Sequence, residues 1–283
     1  MKKYIVLDSN IIVSFFEGGF SLAQQKGIFS SPEDIIILKY LLKALNKNQV
    51  NLILPEVIIL ECERIKEEKK EELDKLYLAA IKGVEEATIP NKRIAIRSRQ
   101  KIKKTMEDIC ADEKVEIDLA WKLFKEICNH KNTNVIELDE KILLNAYKRG
   151  LMGKKPFMIR RSNSKDPDFN NKPLHDIQPD CIIIESVKLF LNDKEKFELY
   201  LGTNDSNFFT SNEKQTIHPD IQKELKLEGF YLTLADLLNK VLGIKIPKKQ
   251  KINNEQSLDA FPLVAKDVTD EGRGEDSLKV IKG

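Results

Sequence analysis

Short apolar runs alternate with longer stretches of helical period along most of the chain. Tyr4-Ile5-Val6-Leu7 is apolar throughout, partly β-branched and polar-flanked, the pattern of a buried strand. A helix is predicted from Ile11 to Phe16, with Ser9 or Asn10 as its cap, and Glu17-Gly18-Gly19 breaks it. Ser31-Pro32-Glu33-Asp34 is a helix start, with proline near the first turn and acids after it, and that helix runs to about Asn46. Asn51 to Leu54 reads as a second strand, and Pro55 opens a long helix through Val57, Leu60 and Glu61. From Lys66 to Asn129 the pattern is helical throughout. Val115, Leu119 and Leu123 recur every four residues, and Ala120, Phe124 and Ile127 extend that stripe.

Asn134 to Leu138 is a third strand, followed by a helix from Asp139 to Arg149. Gly150 to Pro179 reads as a long polar loop, and loops of that length inside a domain are commonly functional or disordered. Asp180 begins a strongly apolar helix that continues to Leu191. Phe197 to Leu201 and Gly229 to Leu232 are the last two strands, and a helix from Leu234 to Leu242 closes the series. Strands separated by helices imply an α/β fold with a parallel, doubly wound sheet. The expected organisation is one domain over residues 1–243, with a helical insertion over 67–132, and a charged, flexible tail over 244–283. No internal repeat is visible.

Composition narrows the function classes only a little. The chain has 283 residues, 41% hydrophobic and 33% charged, with a formal net charge of +2. That is enough apolar content for a substantial core, and any nucleic-acid signal must come from local charge. No apolar run reaches the roughly 20 residues that span a bilayer. Asp8 and Asn10 interrupt the apolar N-terminus, and no small-residue cleavage site follows, so no signal peptide is expected. Cys62, Cys110, Cys128 and Cys181 form no CxxC pair and read as free thiols. His130, His175 and His218 lack metal-ligand spacing, so a zinc site is not expected. These features lead to the expectation of a cytoplasmic protein that does not engage a membrane.

The chemistry rests on carboxylates. Asp8 follows the first strand, Asp205 follows the fourth in Gly202-Thr203-Asn204-Asp205, and Asp180 heads an apolar helix. Taken singly, Asp8 and Asp180 also read as helix caps and Asp205 as a turn residue. Glu61 is different, because it lies among Val57, Ile58, Ile59 and Leu60, and no buried Lys or Arg is an obvious partner. A carboxylate in such surroundings must be paired, neutralised or bound to metal. In open parallel sheets ligand sites lie beyond the carboxyl ends of the strands, where these acids are expected to gather. Oxygen-only ligands suit Mg²⁺ or Mn²⁺.

The chain resembles the PIN-domain nucleases. The resemblance is carried by Val6-Leu7-Asp8-Ser9-Asn10, by Pro55-Glu56-Val57 leading to Glu61, by Pro179-Asp180-Cys181-Ile182-Ile183, and by Thr203-Asn204-Asp205 with Phe208 three residues on. Gly153-Lys154-Lys155-Pro156-Phe157 resembles a larger bacterial PIN-like subfamily. Ser9 stands where Thr is commoner, and His175 and Asp176 crowd the third position. The resemblance implies a five-stranded parallel sheet with the first strand central. It implies metal binding by Asp8, Glu61, Asp180 and Asp205, supported by Ser9, Asn10, Thr203 and Asp176. It also implies hydrolysis of a phosphodiester, usually in RNA, by in-line attack of water with two Mg²⁺ or Mn²⁺ ions.

Two stretches are basic without an acid. One holds Lys92, Arg93, Arg97, Arg99, Lys101, Lys103 and Lys104; the other runs from Lys148 and Arg149 through Lys154, Lys155, Arg160 and Arg161 to Lys165. Lys154, Lys155, Arg160 and Arg161 are expected to face substrate, because their stretch leads into the Asp180 helix. Phe157 and Phe169 are candidates for base stacking. Expected partners are RNA, with DNA as the alternative, an antitoxin or other protein, and a second copy of the chain. The role expected is that of a toxin, a phage-defence effector or a processing enzyme. The competing reading is a PIN-fold module that binds nucleic acid or protein without cutting. A haloacid-dehalogenase-type phosphatase is disfavoured, since Asp8-Ser9-Asn10 lacks a second Asp two residues after the first.

Overall fold

A computed structural model describes residues 1–16, 32–86, 92–156, 178–210 and 216–246. Lys2–Leu7 (β1), Asn51–Pro55 (β2), Thr133–Ile136 (β3), Phe197–Gly202 (β4) and Leu227–Tyr231 (β5) form one sheet in the order β3-β2-β1-β4-β5. Every pairing is parallel, and Leu7 stands opposite Gly202 at the end of the central pair. β1 is central because Tyr4 to Leu7 are apolar on both faces and buried on both. The helices are Ser9–Val13 (α1), Pro32–Asn46 (α2), Glu56–Glu86 (α3), Lys92–Cys128 (α4), Glu140–Leu151 (α5), Pro179–Leu191 (α6), Pro219–Leu225 (α7) and Leu234–Leu242 (α8).

α6 covers one face, where Phe190 meets the ring of Tyr4 edge-on at 5.8 Å. α8 covers the other near the same strand ends. A Cβ at Gly202 would stand 2.9 Å from Leu7 Cδ2 and 3.3 Å from Leu237 Cδ1, so glycine lets α8 close over the ends of β1 and β4. Nearly all of the core is one cluster around the sheet. A satellite of Ile142, Ala146, Cys181 and Ile182 joins α5 to α6.

α3 and α4 form a long antiparallel hairpin with two different halves. Its base is core: Ile58, Cys62 and Leu73 are buried on α3, and Ile117, Ala120, Leu123, Phe124 and Ile127 on α4. Trp121 packs between Phe16 and Phe124 at the same level. Beyond Leu73 and Ile117 no described residue of either helix is fully buried. Lys70–Asp118 at 2.5 Å and Asp74–Lys114 at 2.6 Å tie the helices at that boundary, and Tyr77–Glu107 at 2.7 Å ties them further out.

The sequence pattern needs correction in several places. Val115 and Leu119 are 65% and 41% exposed, because the stripe turned to the core runs through Ile117, Ala120 and Phe124. Asp8, not Ser9 or Asn10, occupies the cap position of α1, and α1 ends in a tighter 3-10 turn over Ser14–Phe16. α5 runs two residues past Arg149, to Leu151. α7 carries no strong apolar period, and the pattern gave no sign of it. Its signature is His218-Pro219-Asp220, with proline in the first turn and the His218 ring accepting from the Asp220 N–H at 3.3 Å. The breaker Glu17-Gly18-Gly19, most of the Gly150–Pro179 loop and the charged tail beyond Ile246 lie outside the described residues.

Candidate functional site

Chain order reverses between β1 and β4: β2 and β3 continue to one side, β5 to the other. Loops leaving the two strands at such a reversal diverge, and a crevice opens beyond their carboxyl ends. Asp8 is the first residue after β1. Its N–H donates to the Gly202 carbonyl at 2.8 Å, which pins it to the neighbouring strand. Although it holds the cap position of α1, its carboxylate makes no capping bond. It accepts instead from Thr203 Oγ1 at 2.9 Å, Ser9 Oγ at 3.3 Å and Asn10 Nδ2 at 3.5 Å.

Asp205 and Asp180 extend this network, whereas Glu61 stands beside it. Asp205 accepts from the Asn207 N–H at 2.7 Å, a turn-forming role, and its second oxygen accepts from Asn10 Nδ2 at 3.3 Å. The Asp205 N–H donates to Thr203 Oγ1 at 3.2 Å, so one hydroxyl links Asp8 and Asp205. Asp180 lies in the first turn of α6, where the helix dipole favours a negative charge, but Gln178 holds the cap position. Its carboxylate accepts from Asn207 Nδ2 at 3.1 Å. Glu61 sits in the second turn of α3, and its Oε2 is buried with no hydrogen-bond partner among the described residues.

Burial and like charge dominate the electrostatics. Asp8 is fully buried, and burial pushes its pKa up to about 6. The Thr203 hydroxyl opposes that rise, while the charges of Asp205 and Glu61 add to it. Asp180 rises to about 7, first from burial and then from the charges of Asp8 and Asp205, with Asn207 opposing and Glu61 adding. No Lys or Arg among the described residues forms an ion pair with any of the four acids. The crevice therefore concentrates negative charge that no ion pair among the described residues offsets. Among the described residues no three His, Cys, Asp or Glu side chains already stand at the spacing that holds one ion.

A family model for the PIN domain matches residues 5–209. The chain belongs to the PIN-domain family. The matched span runs from β1 through β4 to Phe209, and it includes all four acids. No curated protein and no solved structure matches the chain. PIN domains generally bind nucleic acids and use divalent metals, and membership points to a nuclease-type function. No helix among the described residues is long and apolar enough to cross a membrane.

The residues present suit a hard cation. The carboxylates offer oxygen donors only, and among the described residues no Lys or Arg pairs with them and one buried Glu61 oxygen has no hydrogen bond. Ser9, Asn10 and Thr203 reach the crevice as the family pattern implies. Neither Lys154 nor Lys155 forms an ion pair with any of the four acids. Lys154 Nζ lies 3.6 Å from Glu224, and the Lys155 carbonyl accepts from Arg149. Arg149, read with the substrate-facing basic stretch, is instead buried between Glu185 and Glu224. Asp176, Arg160, Arg161, Phe157 and Phe169 lie outside the described residues. Sequence reasoning missed Asn207, which bonds both Asp180 and Asp205. Its signal was available: an amide two residues after an acid, between a strand end and Phe208.

Proposed function

We propose that this PIN-domain chain is an endoribonuclease that hydrolyses phosphodiester bonds with Mg²⁺ or Mn²⁺ held by Asp8, Glu61, Asp180 and Asp205. The observation that supports the reading is a crevice of four acids at the β1/β4 reversal that no cationic side chain among the described residues pairs with. Buried acids normally have partners, and structures that leave them unpaired do so at functional sites.

A divalent cation there would polarise the scissile phosphate and lower the pKa of the attacking water. The chain's own contribution is orientation. Thr203 and Ser9 hold the Asp8 carboxylate through separate oxygens, and Asn10 spans Asp8 and Asp205. Asn207 sets Asp180 against Asp205. The same contacts fix the carboxylates before substrate arrives, so little reorganisation is left for the reaction. Phosphodiester hydrolysis needs charge and alignment more than a covalent nucleophile, and no Ser–His or Cys–His pair is required. Arg160 and Arg161 remain proposed substrate contacts on the approach to α6.

Purified protein incubated with labelled single-stranded and structured RNA should cut in Mn²⁺ or Mg²⁺ and stop on addition of EDTA. Cleavage that persists in excess chelator contradicts the mechanism. Metal-independent RNA binding with no cleavage in either ion would favour a binding module instead.

A further inference from the structure

Between Glu86 and Glu107 the sequence carries seven basic residues and no acid. Arg97, Lys101, Lys103 and Lys104 are exposed on the outer half of α4, and none pairs with a described acid. The part of the same hairpin nearer the sheet behaves oppositely, with Lys70, Lys114 and Arg64 matched to Asp118, Asp74 and Glu68. Arg97, Lys101 and Lys104 follow one another at i, i+4 and i+7, so they form one stripe along the helix. Like charges at that spacing weaken a helix, and a solvated face would gain from interleaved acids. An uninterrupted row retains that cost.

We propose that this outer arm of α4 binds the phosphate backbone of an RNA that also reaches the carboxylate crevice. The identity of the polyanion rests on the nuclease reading above. Lys104 lies three residues beyond Glu107, which pairs across the hairpin with Tyr77, so it stands near the level of Ala80. From Glu61 to that level is about 30 Å of helix at 1.5 Å per residue. The arm therefore engages only substrates long enough to span that gap. No aromatic residue occurs from Ala87 to Ala120, so the arm offers no stacking platform, and its contacts carry no base preference. An acidic protein is a poorer fit, because protein interfaces centre on aromatic or buried anchors, and the large apolar side chains that the arm exposes among the described residues are Ile96 and Ile102.

The test compares two double variants of the full chain that remove equal charge from the two helices of the hairpin. Lys101→Gln with Lys104→Gln alters the proposed surface. Lys75→Gln with Lys82→Gln alters lysines of α3 that are 78% and 76% exposed and lie 3.8 Å from Glu71 and Glu86. Binding of a fluorescent 30-nucleotide RNA is read by anisotropy in EDTA, across a salt series. The arm variant should bind about fivefold or more weakly at 0.1 M salt, with a log–log salt slope shallower by about 1.4, the value for two lost single-strand phosphate contacts. The α3 variant should stay within about twofold of the unaltered chain, and Lys101→Arg with Lys104→Arg should bind normally. Equal losses in both glutamine variants, no loss in either, or failure of the arginine variant to bind overturns the proposal. So does polyglutamate binding as tight as RNA binding with the same dependence on Lys101 and Lys104. A chain that loses RNA affinity in the arm variant yet cuts no RNA in any metal keeps the arm and refutes the nuclease reading. Cleavage with unchanged affinity does the reverse.

Discussion

Asp180 and Glu185 stand on the same helix, about one and a half turns apart, in opposite electrostatic surroundings. Glu185 accepts from Arg149 Nε at 2.7 Å and from Lys188 Nζ at 3.0 Å, and Arg149 also donates to Glu224. Burial works to raise the pKa of Glu224, but Arg149 and Lys188 outweigh it and hold it below its ordinary value. Asp180 faces Asp8, Asp205 and Glu61 and rises to about 7. One end of α6 thus has its buried charge matched, and the other gathers like charge. The matched cluster joins α5, α6 and α7 and reads as structure. The cluster left unmatched among the described residues costs stability, and the proposed cation site is placed there for that reason.

The largest expected effect separates neighbouring acids. Asp180→Asn should reduce RNA cleavage by roughly 100-fold or more, the scale expected when a metal ligand of a hydrolase is removed. Asp176→Asn should leave most of it. Abolished cleavage in Asp176→Asn with activity intact in Asp180→Asn would move the site off α6.

Next in size is the matched cluster. Arg149→Met strips Glu185 and Glu224 of their buried partner and should cost about 3 kcal/mol, as for other broken buried pairs. Replacing all three with apolar residues of similar volume should recover most of that loss. Denaturant melts measure both, and a single variant as stable as the unaltered chain would make the network ornamental.

A smaller effect is a pH dependence of opposite sign at the two ends. Well below pH 3.8, Asp8 and Asp180 are protonated in folded and unfolded chains alike. As pH rises, the unfolded chain releases these protons near 3.8, whereas the folded chain keeps them until about 6 and about 7. The folded state binds more protons in that window, so these two groups withdraw stability as pH climbs from about 4 to about 7. Glu224 acts the other way, since its lowered pKa gives stability that is lost on acidification. Melting temperatures of metal-free protein from pH 5 to 8 should therefore fall more in the unaltered chain than in Asp8→Asn with Asp180→Asn. Parallel curves would mean that the crevice acids are not strained.

The sheet was legible, and three of the four candidate acids were singled out, because local signals mark them. Buried parallel strands are continuous apolar runs, and Asp8, Asp180 and Asp205 each stand at an element boundary. Glu61 was found by the opposite signal, a charge inside an apolar helix stretch. Arg149 was misread because a basic run does not reveal which of its members will meet acids 36 and 75 residues further along. Val115 and Leu119 were misread because a four-residue recurrence drifts around a helix of 3.6 residues per turn, and only packing selects the stripe that faces the core. Asn207 was missed because an uncharged amide in a turn is ordinary until its two partners are brought together.

The central claim is that the unmatched acids of α6, α3 and the ends of β1 and β4 share one divalent cation site. It is tested most directly by melting the unaltered chain and Asp8→Asn with and without Mn²⁺. Without metal, Asp8→Asn should be the more stable protein, by on the order of 1 kcal/mol, because one repelling charge is gone. Saturating Mn²⁺ should raise the melting temperature of the unaltered chain by more than that of the variant, since binding to the folded state stabilises by mass action. Equal metal-induced shifts in both proteins, together with a variant destabilised in the absence of metal, would contradict a shared cation site and return Asp8 to a structural role.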